Sequence, residues 1–150
     1  IIISTNAKVR EANNFLSLTI QPTANCQLGC HYCGQTHTKD YAKDDVILKY
    51  VERADQMFKN NDLYNGLSVT WYGGEPLLGY SSIIKASKKF IELCDSRDYV
   101  YNADIITNGL SLKPNIFEKL VKECNITNYQ VTLDGSSESH DQRRITKWIH

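Results

Sequence analysis

The stretch that decides the fold is Phe15–Cys33, FLSLTIQPTANCQLGCHYC, because it joins a strand pattern to a dense cysteine cluster. Phe15–Ile20 alternates with the period of two that is typical of a β-strand, and Pro22 ends the pattern. Cys26, Cys30 and Cys33 follow in the spacing C-x3-C-x2-C. The sequence therefore predicts a strand whose carboxyl end leads into a short loop that carries three thiols.

Three thiolates on one tight loop are suited to a metal centre. They can bind three irons of an iron–sulfur cube, which leaves the fourth iron open to a small molecule. The alternative is a structural zinc site formed by Cys26, Cys30, Cys33 and His37. Structural zinc sites usually pair two short ligand spacings, so the compact triplet favours the cluster. On the cysteines alone both interpretations stay open.

Further along the chain, three more strand patterns occur, and each is followed by glycine and polar residues. The strands and the motifs that follow them are Leu67–Tyr72 with Gly73-Gly74-Glu75-Pro76, Val100–Ile106 with Thr107-Asn108-Gly109, and Tyr129–Leu133 with Asp134-Gly135. Taken singly, each motif also fits an ordinary strand-ending turn. The same holds for His140–Arg144, where an arginine can bind a carboxylate. His31, His37 and His150 are expected to have no chemical role.

Amphipathic helix patterns separate the strands. We expect Asp44 or Asp45 to cap the first helix, Ser81 or Ser82 to cap the second, and Pro114 to lie in the first turn of the third. The order β-α-β-α-β-α-β predicts an α/β fold with parallel strands and outer helices. Because ligands bind at the carboxyl ends of such strands, the four motifs should converge on one site.

Composition narrows the function classes. The 150 residues hold 17 basic and 17 acidic side chains, so a nucleic-acid binder with a general basic field is disfavoured. The longest apolar runs, such as Ile1–Ile3, are too short to cross a membrane, and the sequence carries no signal-peptide pattern. Cys94 and Cys124 stand apart in apolar helix patterns and are expected to be buried. An odd number of cysteines, five, with no export signal predicts a cytoplasmic protein.

Taken together, the motifs resemble those of the radical S-adenosylmethionine (SAM) enzymes. Within them the chain is similar to the SPASM-type branch of peptide maturases and anaerobic sulfatase-maturating enzymes. The resemblance extends from about Phe15 to Arg143 and is carried by residues 23–33 (TANCQLGCHYC), 71–78 (WYGGEPLL), 106–110 (ITNGL) and 131–143 (VTLDGSSESHDQR).

The resemblance implies a role for each matching residue. Cys26, Cys30 and Cys33 would bind a 4Fe–4S cluster, with the amine and carboxylate of SAM on the open iron. Tyr32 matches an aromatic position near the adenine, and Gly73–Pro76 match the segment that binds the SAM amino group, with Glu75 near the ammonium. Thr132 matches a position near the ribose. Asn108 and Asp134 would line the same cavity.

The implied activity is reductive cleavage of SAM to a 5′-deoxyadenosyl radical that abstracts hydrogen from a substrate. The resemblance implies an oxidoreductase-type maturase acting on a peptide or protein, with a small-molecule substrate as the alternative. It also implies a protein that donates electrons. The charge balance and the short apolar runs predict neither nucleic acid nor membrane as a partner.

The resemblance further implies the N-terminal part of a partial (β/α)6 barrel, with about four parallel strands and outer helices. Gln27 departs from the family pattern, in which asparagine often follows the first cysteine. No cysteine follows Cys124. We therefore expect residues 1–150 to be the N-terminal part of the catalytic core, without the remaining barrel units or any SPASM extension.

Overall fold

The four predicted strands form one parallel sheet in the computed structural model, which describes residues 14–147. The apolar run Ile1–Ile3 and His150, on which two predictions rest, lie outside these residues. The strands pair in chain order, and all three pairs are parallel. They are β1 (Phe15–Ile20), β2 (Gly66–Trp71), β3 (Val100–Thr107) and β4 (Ile126–Val131).

The helices follow the predicted order. They are α1 (Asp44–Asn60), α2 (Tyr80–Asp95), α3 (Pro114–Cys124) and α4 (Ser137–Arg143), with a short 3-10 helix at Pro76–Gly79. Helix α2 packs against β2 and β3 and lies between α1 and α3. Among the described residues, none of the helices has both the length and the apolar content needed to cross a bilayer.

Two predicted helix caps are wrong. Lys43 holds the N-cap position of α1 without a side-chain hydrogen bond, and the two aspartates lie in the first turn, where they face the positive end of the helix dipole. The 3-10 helix runs directly into α2 at Tyr80, so both serines lie inside the helix. There the Ser82 hydroxyl donates to the Ala42 carbonyl at 3.3 Å. Pro114 lies in the first turn of α3, as predicted.

Strand β4 begins three residues before the predicted Tyr129 and ends at Val131 rather than Leu133. The cause is Asn125, which takes a left-handed conformation with a φ of 50° and ends α3 in a single residue. The strand therefore starts at once with the buried Ile126.

One face of the sheet forms the core. Leu67, Val69, Trp71 and Ile105 are fully buried between the sheet and the helices. Cys94 and Cys124 are also fully buried, as expected, and burial raises the pKa of each thiol to about 11. The other face is polar. Its residues are paired across strands in two rows, Ser17–Ser68–Asn102 and Thr19–Thr70–Asp104.

This polar face is unusual for a parallel sheet, because such sheets normally bury apolar side chains on both faces. Its side chains are exposed or half-buried, and the Thr70 hydroxyl donates to the Asp104 carboxylate at 3.2 Å. Closed (β/α) barrels usually fill their interior with bulky branched residues. Small polar residues do not fill the space in that way, so this face is suited to line a hydrated cavity.

Candidate cofactor site

The carboxyl ends of the four strands meet at a pocket with a volume of about 270 Å³. Its wall comes from all four strand-end segments, which confirms that the motifs converge in space. Eight of the residues predicted to form the site line this pocket: Cys26, Cys30, Tyr32, Cys33, Gly73, Gly74, Asn108 and Thr132. Glu75, Pro76 and Asp134 are not part of this lining.

The three thiols of the loop differ in burial. Cys26 is buried, Cys30 is half-buried and Cys33 is exposed. The Cys26 Sγ accepts a hydrogen bond of 3.4 Å from the Leu28 backbone N–H. Burial raises the pKa of the Cys26 thiol above its usual value, and the nearby Glu75 carboxylate adds to that rise. The loop therefore presents one shielded and two accessible sulfur ligands to the same pocket.

Gly73 and Gly74 let the backbone of the cysteine loop approach the end of β2. A Cβ on Gly74 would lie 2.4 Å from the Asn25 carbonyl oxygen, and Gly73 has a φ of 141°, which side chains disfavour. The next residue, Glu75, donates its backbone N–H to the same Asn25 carbonyl at 2.7 Å. These glycines therefore position the cysteine loop itself, in addition to lining the pocket.

The Glu75 carboxylate is fully buried and hydrogen-bonded to the protein. Its Oε1 accepts from the Thr107 hydroxyl at 2.7 Å and from the Leu77 backbone N–H at 3.0 Å, and its Oε2 accepts from the Asn108 N–H at 2.8 Å. Three donors satisfy most of the hydrogen-bonding capacity of a carboxylate. The structure thus gives Glu75 the position of a buried anchor between β2 and β3.

Tyr32 and Asp134 are in direct contact, with their oxygens 2.5 Å apart. The hydrogen bond to Asp134 is the main reason why the pKa of Tyr32 is raised to about 12. Arg144 completes the group: its Nη1 donates to the Tyr32 hydroxyl at 3.1 Å and lies 3.7 Å from the Asp134 carboxylate. The Arg144 side chain is only 8% exposed, and the residue lines the pocket. Of the two adjacent arginines, Arg144 rather than Arg143 therefore belongs to the site.

One part of the site was not foreseen from the sequence. Ile145–Lys147 pairs with the cysteine loop: Gly29 N–H donates to the Ile145 carbonyl at 2.7 Å, and Lys147 N–H donates to the Gln27 carbonyl at 2.9 Å. An antiparallel bridge between Leu28 and Thr146 lies between these two bonds. We call residues 144–147 the clasp. So short a pairing has no hydrophobic periodicity or turn signature, so the sequence carried no signal for it.

The clasp also reaches His37. Lys147 Nζ lies 2.5 Å from His37 Nδ1, and His37 Nε2 lies 3.7 Å from Cys33 Sγ. Burial, with a further contribution from Lys147, lowers the pKa of His37. His37, for which the sequence predicted no chemical role, thus lies between a predicted cluster ligand and the clasp.

The donor set fits an iron–sulfur cluster. A single zinc ion requires ligand atoms that converge within about 2.0–2.3 Å of one point. Within residues 14–147, no group of three His, Cys, Asp or Glu side chains is arranged to hold a single metal ion. An iron–sulfur cube instead takes one thiolate on each of several irons, and three free thiols on the wall of one pocket provide this.

Comparisons with known proteins show the family to which the chain belongs. The family model of the Radical SAM superfamily matches residues 20–150. Sporulation killing factor maturation protein SkfB of Bacillus subtilis is 25% identical over 132 residues, which cover 88% of this chain and 29% of SkfB.

Solved structures of anSMEcpe have the same fold. Native anSMEcpe with bound AdoMet and Cp18Cys peptide is 28% identical, with a TM-score of 0.66, over 89% of this chain and 35% of that one. Native anSMEcpe with bound AdoMet alone gives a TM-score of 0.67 at 24% identity, over 87% of this chain and 35% of that one.

The chain thus spans about a third of the length of these relatives. SkfB and anSMEcpe support the resemblance to the SPASM-type branch. The parallel sheet matches part of the radical SAM barrel. The family model covers most of the chain, so the chain belongs to the Radical SAM superfamily.

Proposed function

We propose that this protein is a peptide- or protein-modifying radical SAM enzyme in which Cys26, Cys30 and Cys33 hold the cluster. The superfamily uses a 4Fe–4S cluster and SAM as cofactors. The chemistry that they supply is one-electron cleavage of SAM to methionine and a 5′-deoxyadenosyl radical, which takes hydrogen from the substrate. The observation that carries the proposal is the meeting of three free thiols and Gly73-Gly74 in one pocket.

The other pocket residues have positioning roles in this proposal. Asn108 Nδ2 lies 3.9 Å from Cys26 Sγ and so approaches the cluster side of the pocket. Thr132, whose backbone N–H donates to the Thr107 carbonyl at 3.4 Å, would lie near the ribose of SAM, and Tyr32 would lie near the adenine. Arg144 adds a mostly buried positive charge to the same wall. Pro76, which is buried, starts the 3-10 helix that fixes the glycine segment.

A peptide or protein substrate is supported by the relatives and by the polar sheet face. SkfB is named a maturation protein, and anSMEcpe was solved with a peptide bound. The rows Ser17–Ser68–Asn102 and Thr19–Thr70–Asp104 offer hydroxyl, amide and carboxylate groups on the open face of the sheet. A peptide backbone needs hydrogen-bonding partners of this kind when it is taken out of water.

The chain forms the N-terminal part of the catalytic domain in this proposal, and the rest of the full-length protein completes the barrel. A separate protein supplies the electron. All five cysteines are unpaired in the structure, which supports a reducing, cytoplasmic location.

The proposal is tested by anaerobic reconstitution of the full-length protein with iron and sulfide, followed by electron paramagnetic resonance of the reduced protein. We expect a cluster signal that changes when SAM is added and that is lost in Cys33→Ala. The matched control is Cys94→Ala, which removes a buried thiol of the core and should leave the signal intact. A signal that SAM does not alter, or one that survives Cys33→Ala, would contradict the proposal.

A further inference from the structure

We propose that His37, held by Lys147 of the clasp, donates a hydrogen bond to the Cys33 thiolate and thereby raises the reduction potential of the cluster. This inference rests on the proposed cluster at Cys26, Cys30 and Cys33. It assigns a role to two residues outside the four motifs through which the chain resembles its family.

The first step concerns the two nitrogens of His37. A lysine ammonium group has three N–H donors and no acceptor. Because Lys147 Nζ lies 2.5 Å from Nδ1, that ring nitrogen must be the acceptor in this contact. A neutral imidazole that accepts at Nδ1 carries its hydrogen on Nε2.

The second step concerns the direction of that hydrogen. Nε2 lies 3.7 Å from Cys33 Sγ, within reach of an N–H···S hydrogen bond. The Lys147 contact therefore selects the His37 tautomer with its hydrogen on Nε2, which can donate to the sulfur. It excludes the tautomer with its hydrogen on Nδ1, in which an Nε2 lone pair would face the sulfur. Second-shell partners commonly fix the tautomer of a histidine near a metal site in this way.

The third step concerns what holds Lys147 in place. Its backbone N–H is bonded to the Gln27 carbonyl, and its Cγ would lie 3.4 Å from a Cβ on Gly29, so its stem packs on the cysteine loop. The residue is half-buried, which limits exchange of the contact with water. The clasp thus presents the ammonium to His37 from a fixed backbone position.

The consequence for the cluster is electrostatic. Reduction adds negative charge to the cluster and its thiolates, and an N–H donor aimed at a thiolate stabilises the reduced form more than the oxidised form. Hydrogen bonds to the sulfurs are among the factors that set the potentials of iron–sulfur clusters. Removing the donor should therefore make the cluster harder to reduce.

The test is redox titration of the reconstituted full-length protein, followed by electron paramagnetic resonance, with iron content measured on each sample. We expect His37→Phe to retain iron but to shift the midpoint potential to more negative values. His37→Gln keeps a side-chain N–H donor, so its midpoint potential should be close to that of the wild-type protein. The control is His31→Phe, which changes an exposed histidine of the same loop and should leave the potential unchanged.

Lys147→Met separates the tautomer effect from a simple effect of positive charge. If Lys147 acts through His37, the single variant shifts the potential negatively, and the double variant with His37→Phe shifts it no further than His37→Phe alone. An unchanged potential in an iron-loaded His37→Phe protein, or fully additive shifts in the double variant, would overturn the proposal. Should His37→Phe fail to load iron, Lys147→Met decides the question alone, because an unchanged potential there also overturns it. Absence of a cluster from the wild-type protein would instead refute the proposed function.

Discussion

The Glu75 carboxylate and the Asn108 backbone N–H are joined by a hydrogen bond of 2.8 Å, which ties the loop after β2 to the end of β3. Asn108 lines the pocket, and its side chain approaches Cys26. The fully buried Glu75 therefore sets the position of this part of the pocket wall. Several predictions depend on contacts of this kind.

Glu75→Gln is expected to lower the free energy of unfolding by roughly 1–3 kcal/mol, because it turns one buried acceptor into a donor that faces other donors. SAM affinity should fall as well, since Asn108 loses its anchor. Thermal denaturation and equilibrium dialysis with SAM measure the two effects. Glu92→Gln, at an exposed pair with Lys89, is the control and should change little. Wild-type stability in the Glu75 variant would show that the carboxylate is not an anchor.

Gly74→Ala is expected to prevent normal assembly of the cluster, because the new Cβ would lie 2.4 Å from the Asn25 oxygen and push the cysteine loop outward. Iron and sulfide per chain after anaerobic reconstitution should fall well below the wild-type values. Gly34→Ala, in the cysteine loop with no atom within 4 Å of the added carbon, is the matched control. Equal cluster loading in the two variants would refute this account of Gly74.

Tyr32→Phe is expected to weaken SAM binding by about 0.5–1.5 kcal/mol, or roughly 2- to 13-fold, because Asp134 and Arg144 lose a shared hydrogen-bonding partner. Cluster content should stay at the wild-type level, since the Tyr32 hydroxyl contacts Asp134 and Arg144 rather than a cysteine. Tyr50→Phe, on the outer surface of α1, provides the comparison. SAM affinity equal to the wild-type value would mean that the Tyr32 hydroxyl does not organise the pocket.

Alkylation of the metal-free protein should modify Cys33 first and Cys26 much more slowly. Cys33 is exposed, whereas Cys26 is buried and its pKa is raised. Because a raised pKa lowers the thiolate fraction near neutral pH, the Cys26 rate should increase with pH until the pH passes that pKa. Mass spectrometry after timed iodoacetamide treatment gives the order. Equal rates at the two cysteines, or a Cys26 rate independent of pH, would contradict it.

The strand order, the parallel pairing and the meeting of the motifs were predictable, since each rests on a local pattern or on a general property of parallel sheets. The start of β4 was not, because it depends on the backbone conformation of Asn125. The start of α2 was predicted too late, at Ser81 or Ser82, because the 3-10 helix Pro76–Gly79 continues into the α-helix without a break.

The interior of the site was harder to predict. The family resemblance placed Glu75 near the SAM ammonium, and only the fold shows that three donors of the protein surround it. The clasp joins residues that are more than 100 positions apart, and its backbone pairing leaves no trace in residue type. Patterns along the chain thus predicted where the pocket lies, whereas the contacts that support it depend on tertiary structure.

The two faces of the sheet have a consequence for how such proteins diversify. Substitutions on the helix-facing side, at Val69 or Trp71, change the packing of the core on which folding depends. Substitutions in the Ser17–Ser68–Asn102 row do not change that packing. Exposed polar positions usually tolerate exchange with less than about 0.5 kcal/mol of change in stability. Residues of this row can therefore change with little cost in stability while the thiols and glycines at the strand ends stay as they are.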